Sequence, residues 1–164
     1  MKFRRLTNEE LAPLEKKFIQ FLVANTITGD DWAKMKERRP EQAMTLVDIF
    51  SDLMFEEAFM KVKYLKQATP RELHIFYFDK EKILLLGLVA DKNTAIDFTK
   101  DDNWLKILQN TVREDSFGEG GVSYFQTEKS YSDLREVEIF KLIENGCRIS
   151  DSYLYDTLRK LFNE

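Results

Sequence analysis

Apolar positions recur at helical spacing through the first 65 residues. Leu11, Leu14, Phe18, Phe21 and Leu22 share one face, and Thr7-Asn8-Glu9-Glu10 precedes them. There the Thr hydroxyl and the Glu carboxylate can satisfy each other's free backbone amides. Pro13 lies inside this pattern and predicts either a kink or a helix start near residue 12. Residues 25–29 end the helix, and Thr28 caps a short one running through Asp31 to about Arg38. Pro40 suits the first turn of a long helix reaching about Leu65. Its apolar face carries Ala43, Leu46, Val47, Phe50, Leu53, Met54, Ala58 and Leu65. Glu57 and Lys61 fall on that face four residues apart, placed to pair with each other or with another element. The opposite side is mixed: Asp48, Asp52 and Glu56 form an acidic stripe with Phe55 and Phe59 beside it. A helix apolar on two sides is usually covered on two sides.

The period changes after Ala68-Thr69-Pro70. Leu73–Phe78 and Ile83–Ala90 are nearly continuous apolar runs, read as strands covered on both faces and joined by the short turn Asp79-Lys80-Glu81-Lys82. Ala95–Phe98 reads as a third short strand. Thr99-Lys100-Asp101-Asp102 caps a helix of about ten residues containing Trp104, Leu105, Ile107 and Leu108. Phe117–Gly121 reads as a turn and Val122–Gln126 as a fourth strand. Ser130–Phe162 reads as two amphipathic helices divided at Asn145-Gly146. The expected fold is a single α+β domain over residues 1–164. It has a small, mainly antiparallel sheet of three or four strands, flanked by N-terminal helices and a C-terminal αα-hairpin.

Composition narrows the function. The 164 residues are 43% hydrophobic and 33% charged, enough for a core without disulfides or metal. One cysteine rules out an internal disulfide and fits a reducing compartment. No apolar run follows the basic start MKFRRLTNEE, so no secretory signal is visible. The longest apolar run, Ile83–Ala90, falls far short of the roughly 20 residues that span a bilayer. Residues 1–66 hold 12 Lys and Arg against 11 Asp and Glu, and the remainder 13 against 18. Neither half is a basic nucleic-acid surface by bulk charge.

Each candidate for chemistry has a plainer reading beside it. Ile149–Leu161 matches the second helix of a helix-turn-helix regulator of the I-S-x-S-x-L-Y-x-x-L-x-x-L type, but Asp151 and Asp156 sit on that helix. Across Asp133–Phe162 five basic residues face six acidic ones, against what phosphate contact needs. An ordinary αα-hairpin is the reading. His74, the only histidine, lies in an apolar strand and reads as a packed core side chain. Cys147 with His74 would be a nucleophilic pair without a supporting local pattern. Asp48, Asp52 and Glu56 at i, i+4, i+8 have the spacing of a divalent-cation or acid–base cluster, but read as the much commoner solvated helix face. Gly118-Glu119-Gly120-Gly121 lacks the Lys-Ser/Thr ending of a phosphate loop and reads as a turn. Lys34, Lys36, Arg38 and Arg39 read as a solvated helix face.

Ile49-Phe50-Ser51-Asp52-Leu53, Lys61-Val62-Lys63-Tyr64-Leu65, Tyr131-Ser132 with Arg135, Ile139-Phe140, Leu142-Ile143, Gly146, Ile149-Ser150 and Leu154-Tyr155 form a further pattern. Together with the opening RRLTNEEL and the segment ITGDDW, they resemble an uncharacterised family of short bacterial proteins of about this length. The resemblance covers nearly the whole chain and implies a single bacterial, intracellular domain. It carries no activity, cofactor or catalytic residue. Pro13 departs from it, where an ordinary helix former is expected.

The expectation is therefore a non-enzymatic, cytoplasmic protein-interaction domain of adaptor or chaperone-like type. It has no cofactor, metal or catalytic residue and no membrane contact, and its partner is another protein. The candidate partner surface is Asp52, Phe55, Glu56, Phe59, Tyr153 and Tyr155, with the two acids as polar rim. The alternatives are a nucleic-acid-binding regulator using the C-terminal helices and an enzyme built on a carboxylate or cysteine site.

Overall fold

The computed structural model describes residues 1–100, 103–113 and 121–163. The chain divides into two compact units, Met1–Lys61 and Val62–Glu164.

The first unit is helical. Helix α1 (Asn8–Leu11) opens on the expected capping box: Thr7 Oγ1 accepts from the Glu10 amide at 3.2 Å, and Glu10 Oε2 accepts from the Thr7 amide at 2.8 Å. Pro13 does not break the chain's helical course. It sits in the first turn of a 3₁₀ segment, Ala12–Leu14, where its missing N–H leaves no bond unmade, and α2 (Glu15–Ala24) follows. Helix α3 (Gly29–Arg38) starts at a second box, between Thr28 and Asp31. Helix α4 (Pro40–Met60) starts at Pro40 as expected but stops at Met60, not Leu65. Phe50 is the centre of this unit. It is fully buried, with the rings of Phe18 and Phe21 at 5.0 and 5.5 Å. Trp32 of α3 meets Phe18 edge-on at 5.2 Å.

The second unit carries a five-stranded antiparallel sheet in the order β4-β3-β2-β1-β5. Its strands are β1 (Tyr64–Ala68), β2 (Glu72–Phe78), β3 (Lys82–Ala90), β4 (Val122–Ser130) and β5 (Arg148–Ser150). The hairpin between β2 and β3 closes through the Asp79 amide on the Lys82 carbonyl at 3.0 Å, as expected. Alternation along the strands splits the sheet into two faces. Leu73, Ile75, Leu86, Leu88, Ala90 and Val122 line one face. They form a core with Trp104 and Leu108 of α5 (Asn103–Arg113) and with Tyr155 and Leu158 of α7 (Ser152–Asn163). Gln67, His74, Gly87, Phe125 and Lys129 lie on the other face. Helix α6 (Arg135–Glu144) is tied there at both ends. Lys129 pairs with Glu138 at 3.6 Å, and Gln67 Nε2 donates to the Asn145 carbonyl at 3.2 Å. The Arg135 guanidinium also donates to the Val62 carbonyl.

Three expectations need correction. The sheet has five strands, because Tyr64–Ala68 and Arg148–Ser150 are strands. Ala95–Phe98 is not one. Ile96 and Phe98 are buried, but their loop is organised by Arg71, whose Nη1 donates to the carbonyls of Asp91, Thr94 and Ile96 at 3.1 to 3.5 Å. The guanidinium takes those carbonyls, and the Phe98 amide reaches the Pro70 carbonyl at 3.3 Å. The C-terminal αα-hairpin does not form. Helices α6 and α7 serve opposite faces of the sheet, and β5, paired with β1, lies between them. Helix α6 ends where the sequence indicates. Gly146 has a φ of +101°, its amide reaches Ile143 O, and the Cys147 amide reaches Leu142 O. That pair of bonds closes the helix and turns the chain into β5. The expected cap at residues 101–102 and the glycine turn at residues 117–120 lie outside the described residues.

Gly87 has its own reason. It is paired directly with Phe125, and a Cβ there would stand 2.0 Å from that ring. The ring lies across the strand where a side chain would be, covering backbone that glycine leaves bare.

Candidate functional site

The acidic stripe of α4 is neither a cation site nor a solvated face. The opening segment of the chain runs along it. Asp52 accepts the amides of Lys2 and Phe3 at 2.7 and 3.0 Å. Arg5 makes two hydrogen bonds to Asp48, at 2.6 and 3.0 Å. Lys2 Nζ reaches Glu56 at 3.4 Å, and the Leu6 amide donates to buried Ser51 at 3.0 Å. The Phe3 ring sits 5.7 Å from Phe55 and 5.6 Å from Phe59. Glu57, whose partner was open, pairs with Lys17 of α2 at 2.9 Å. Asp52, Phe55, Glu56 and Phe59 are thus brought together, but as the seat of residues 2–6. Phe59 is buried, and Phe55 and the two acids are half-buried.

Arg4 extends the same belt. It makes two hydrogen bonds to Glu10, both at 2.8 Å, and lies over Phe55. The Arg4 bonds, with the Thr7 amide, hold the Glu10 carboxyl down to about 2 from its usual 4.5. Bonding to Arg5 lowers Asp48 as well. Carboxyls depressed in the folded state stabilise it fully above their unfolded values, and that stability is lost as they protonate. Stability should therefore fall as pH drops from about 4.5 to 2. Glu10→Gln should flatten that limb of a pH-dependent urea titration, and an unchanged slope would count against the belt.

Tyr153 and Tyr155, two residues apart, part company. Tyr153 is 66% exposed, whereas Tyr155 is 4% exposed, its ring 5.5 Å from Tyr64 and 5.4 Å from Tyr77. Burial pushes the Tyr155 hydroxyl above the usual phenol range. As partner-surface candidates, Phe59 and Tyr155 are core side chains, and only Tyr153 of the six stands fully in solvent.

His74 and Cys147 are not brought together. His74, on β2, meets Phe125 and Phe76 edge-on and stands 3.9 Å from Glu72. Cys147 is buried ahead of β5, with β1 between their strands, and burial raises its thiol pKa. Among the described residues no group of three or more His, Cys, Asp or Glu is gathered for a metal ion. Among them, too, no helix is long and apolar enough to cross a membrane. With β5 between α6 and α7, these helices do not have helix-turn-helix geometry.

A site the sequence pattern missed lies at the β1–β5 edge. A cavity of about 560 Å³ is lined by Lys66, Phe98, Thr99, Lys100, Trp104, Leu105, Ile149, Ser150, Asp151, Tyr153 and Leu154. Lys66 alternates with Tyr64 and Ala68 on the core-facing side of β1, opposite Ile75 on β2. Its other cross-strand neighbour is Arg148. Two cations directly opposed on one face repel, so this pairing does not stabilise the sheet. Lys66 is half-buried and has no hydrogen-bond or ion-pair partner among the described residues. Asp151, the one acid among the described lining residues, accepts the Tyr153 amide at 3.0 Å and so opens α7. The signal was available: once residues 64–68 are a strand, Lys66 is a charge at a core position.

No curated protein and no solved structure matches the chain. A family model described as a family of unknown function (DUF6495) matches residues 1–163, and the chain belongs to that family.

Proposed function

We propose that this chain is a non-enzymatic protein-interaction domain of the bacterial cytoplasm, docking its partner where β5 leads into α7. One observation carries the reading. Tyr153, on the lining of that cavity, is 66% exposed, and Ile149, on the opposite face of β5 from Lys66, is 65% exposed. Large apolar side chains held in water where one short strand meets its helix are the kind of surface a partner covers. The acidic stripe and its phenylalanines, the other candidate surface, are engaged by the chain's own opening segment and leave this corner as the better anchor.

A photo-crosslinking residue at Tyr153, in the native host, should give a discrete protein adduct that survives nuclease. The same residue at Glu37, exposed on α3, serves as control. Identical adduct patterns at both positions would sink the docking surface. Adducts lost with nuclease would favour a nucleic-acid partner.

A further inference from the structure

We infer that the outer edge of β4 is an interface between two copies of this chain, which pair antiparallel across a two-fold axis at Gln126 and join their sheets into one. This interface is independent of the docking corner, because β4 and β5 are the two opposite edges of the sheet.

The backbone of β4 presents a row of open hydrogen-bonding groups. The Asp91 amide donates to the Gly121 carbonyl at 2.7 Å, one step beyond the paired Ala90 and Val122. Bonded pairs alternate along an antiparallel ladder, so the odd-numbered residues from Ser123 to Lys129 bond to β3. The N–H and C=O groups of Tyr124, Gln126 and Glu128 point outward instead. Among the described residues nothing hydrogen-bonds to those outward groups. Ser123 and residues 125–130 are exposed.

Edges of this kind are normally blunted by brevity, a bulge, a proline or a free charge, because an open strand templates another. Strand β5 has only three residues, whereas β4 runs nine without a bulge or a proline. Its two charges are turned to groups of the same copy: Glu128 to Lys82 at 2.7 Å and Lys129 to Glu138 at 3.6 Å. The Phe125 ring lies inboard over Gly87, clear of the edge. The strand is also complementary to itself. Gln126 is its midpoint, so a two-fold there overlaps the whole strand, and any other register shortens the ladder. Tyr124 then faces the partner's Glu128, and Lys129 the partner's Ser123, with no like charges opposed. Opposed residues share a sheet face, so the core-facing side of one copy continues into that of the other. The pairing consumes both β4 edges at once, which closes the assembly at two copies and leaves a β5 edge at each end.

Sedimentation velocity of the full chain should show a dimer that builds up with concentration. In that dimer, hydrogen exchange resolved by ¹⁵N NMR should slow at the amides of Tyr124, Gln126 and Glu128. The Ser123, Phe125 and Thr127 amides, already bonded to β3, should change little. Q126K and Q126E each set like charges face to face at the axis and should weaken the dimer about 5-fold or more. Mixing the two variants should restore it as a heterodimer. Q126P removes an outward amide that β3 does not use, and should be monomeric with its cooperative melt retained. If Q126P does not fold, the Lys and Glu variants decide alone. A monomer at every concentration overturns the inference. So does a dimer that Q126K and Q126E leave intact, one that their mixture does not recover, or one whose exchange slows elsewhere. Each of those failures leaves the Tyr153 crosslink, and the docking corner with it, untouched.

Discussion

Replacing Phe50 by Ala should destabilise the first unit by about 3–5 kcal/mol. The ring is fully buried, and Phe18 and Phe21 lean on it from α2. Truncation leaves a cavity bounded by two rings fixed by their own neighbours, Trp32 among them, so collapse into the space is limited. Trp32 is one of two tryptophans and reports this packing directly. In a Trp104→Phe background its emission during urea unfolding should show an earlier midpoint with an unchanged slope. A shift below about 1 kcal/mol would mean that α2 and α4 hold together by other contacts.

The second large effect separates two tyrosines that look alike in sequence. Tyr155→Ser should cost about 3–5 kcal/mol, because it removes a ring packed against Tyr64 of β1 and Tyr77 of β2. Tyr153→Ser should change stability by no more than about 0.5 kcal/mol. Thermal melts of the two variants decide the matter. Comparable losses would place Tyr153 in the core too and remove its claim as a docking residue. The expected pair of results is what allows Tyr153, and not Tyr155, to be changed in partner-binding work without confusing lost binding with lost fold.

Local signals were legible and long-range ones were not. The two capping boxes, the proline at the head of α4, the β2–β3 hairpin and the glycine that ends α6 are each written within a few adjacent residues. Strand β1 was hidden because Val62, Tyr64 and Leu65 extend the apolar pattern of α4 without a glycine or proline at its end. What makes those residues a strand is pairing with β2 on one side and β5 on the other, across the chain. Strand β5 is three residues long, too short for any period to register. Ile96 and Phe98 alternate like a strand and are buried like one, but the Arg71 guanidinium takes the carbonyls that a strand partner would have paired. The candidate site suffered from the same blind spot. Lys66 reads as one more surface lysine until the strand beneath it is recognised. The acidic stripe was seen, but its partner, the opening of the same chain, was not.

That partner is distant in sequence. The bonds from residues 2–6 to α4 join positions 43 to 54 apart. Closing so long a loop is entropically costly until its far end is in place. In refolding, the basic segment 2–6 should therefore lock only after α4 has brought Asp48, Ser51 and Asp52 onto one helical face. A segment at one end of the chain thus depends for its order on a helix some forty residues away being formed first.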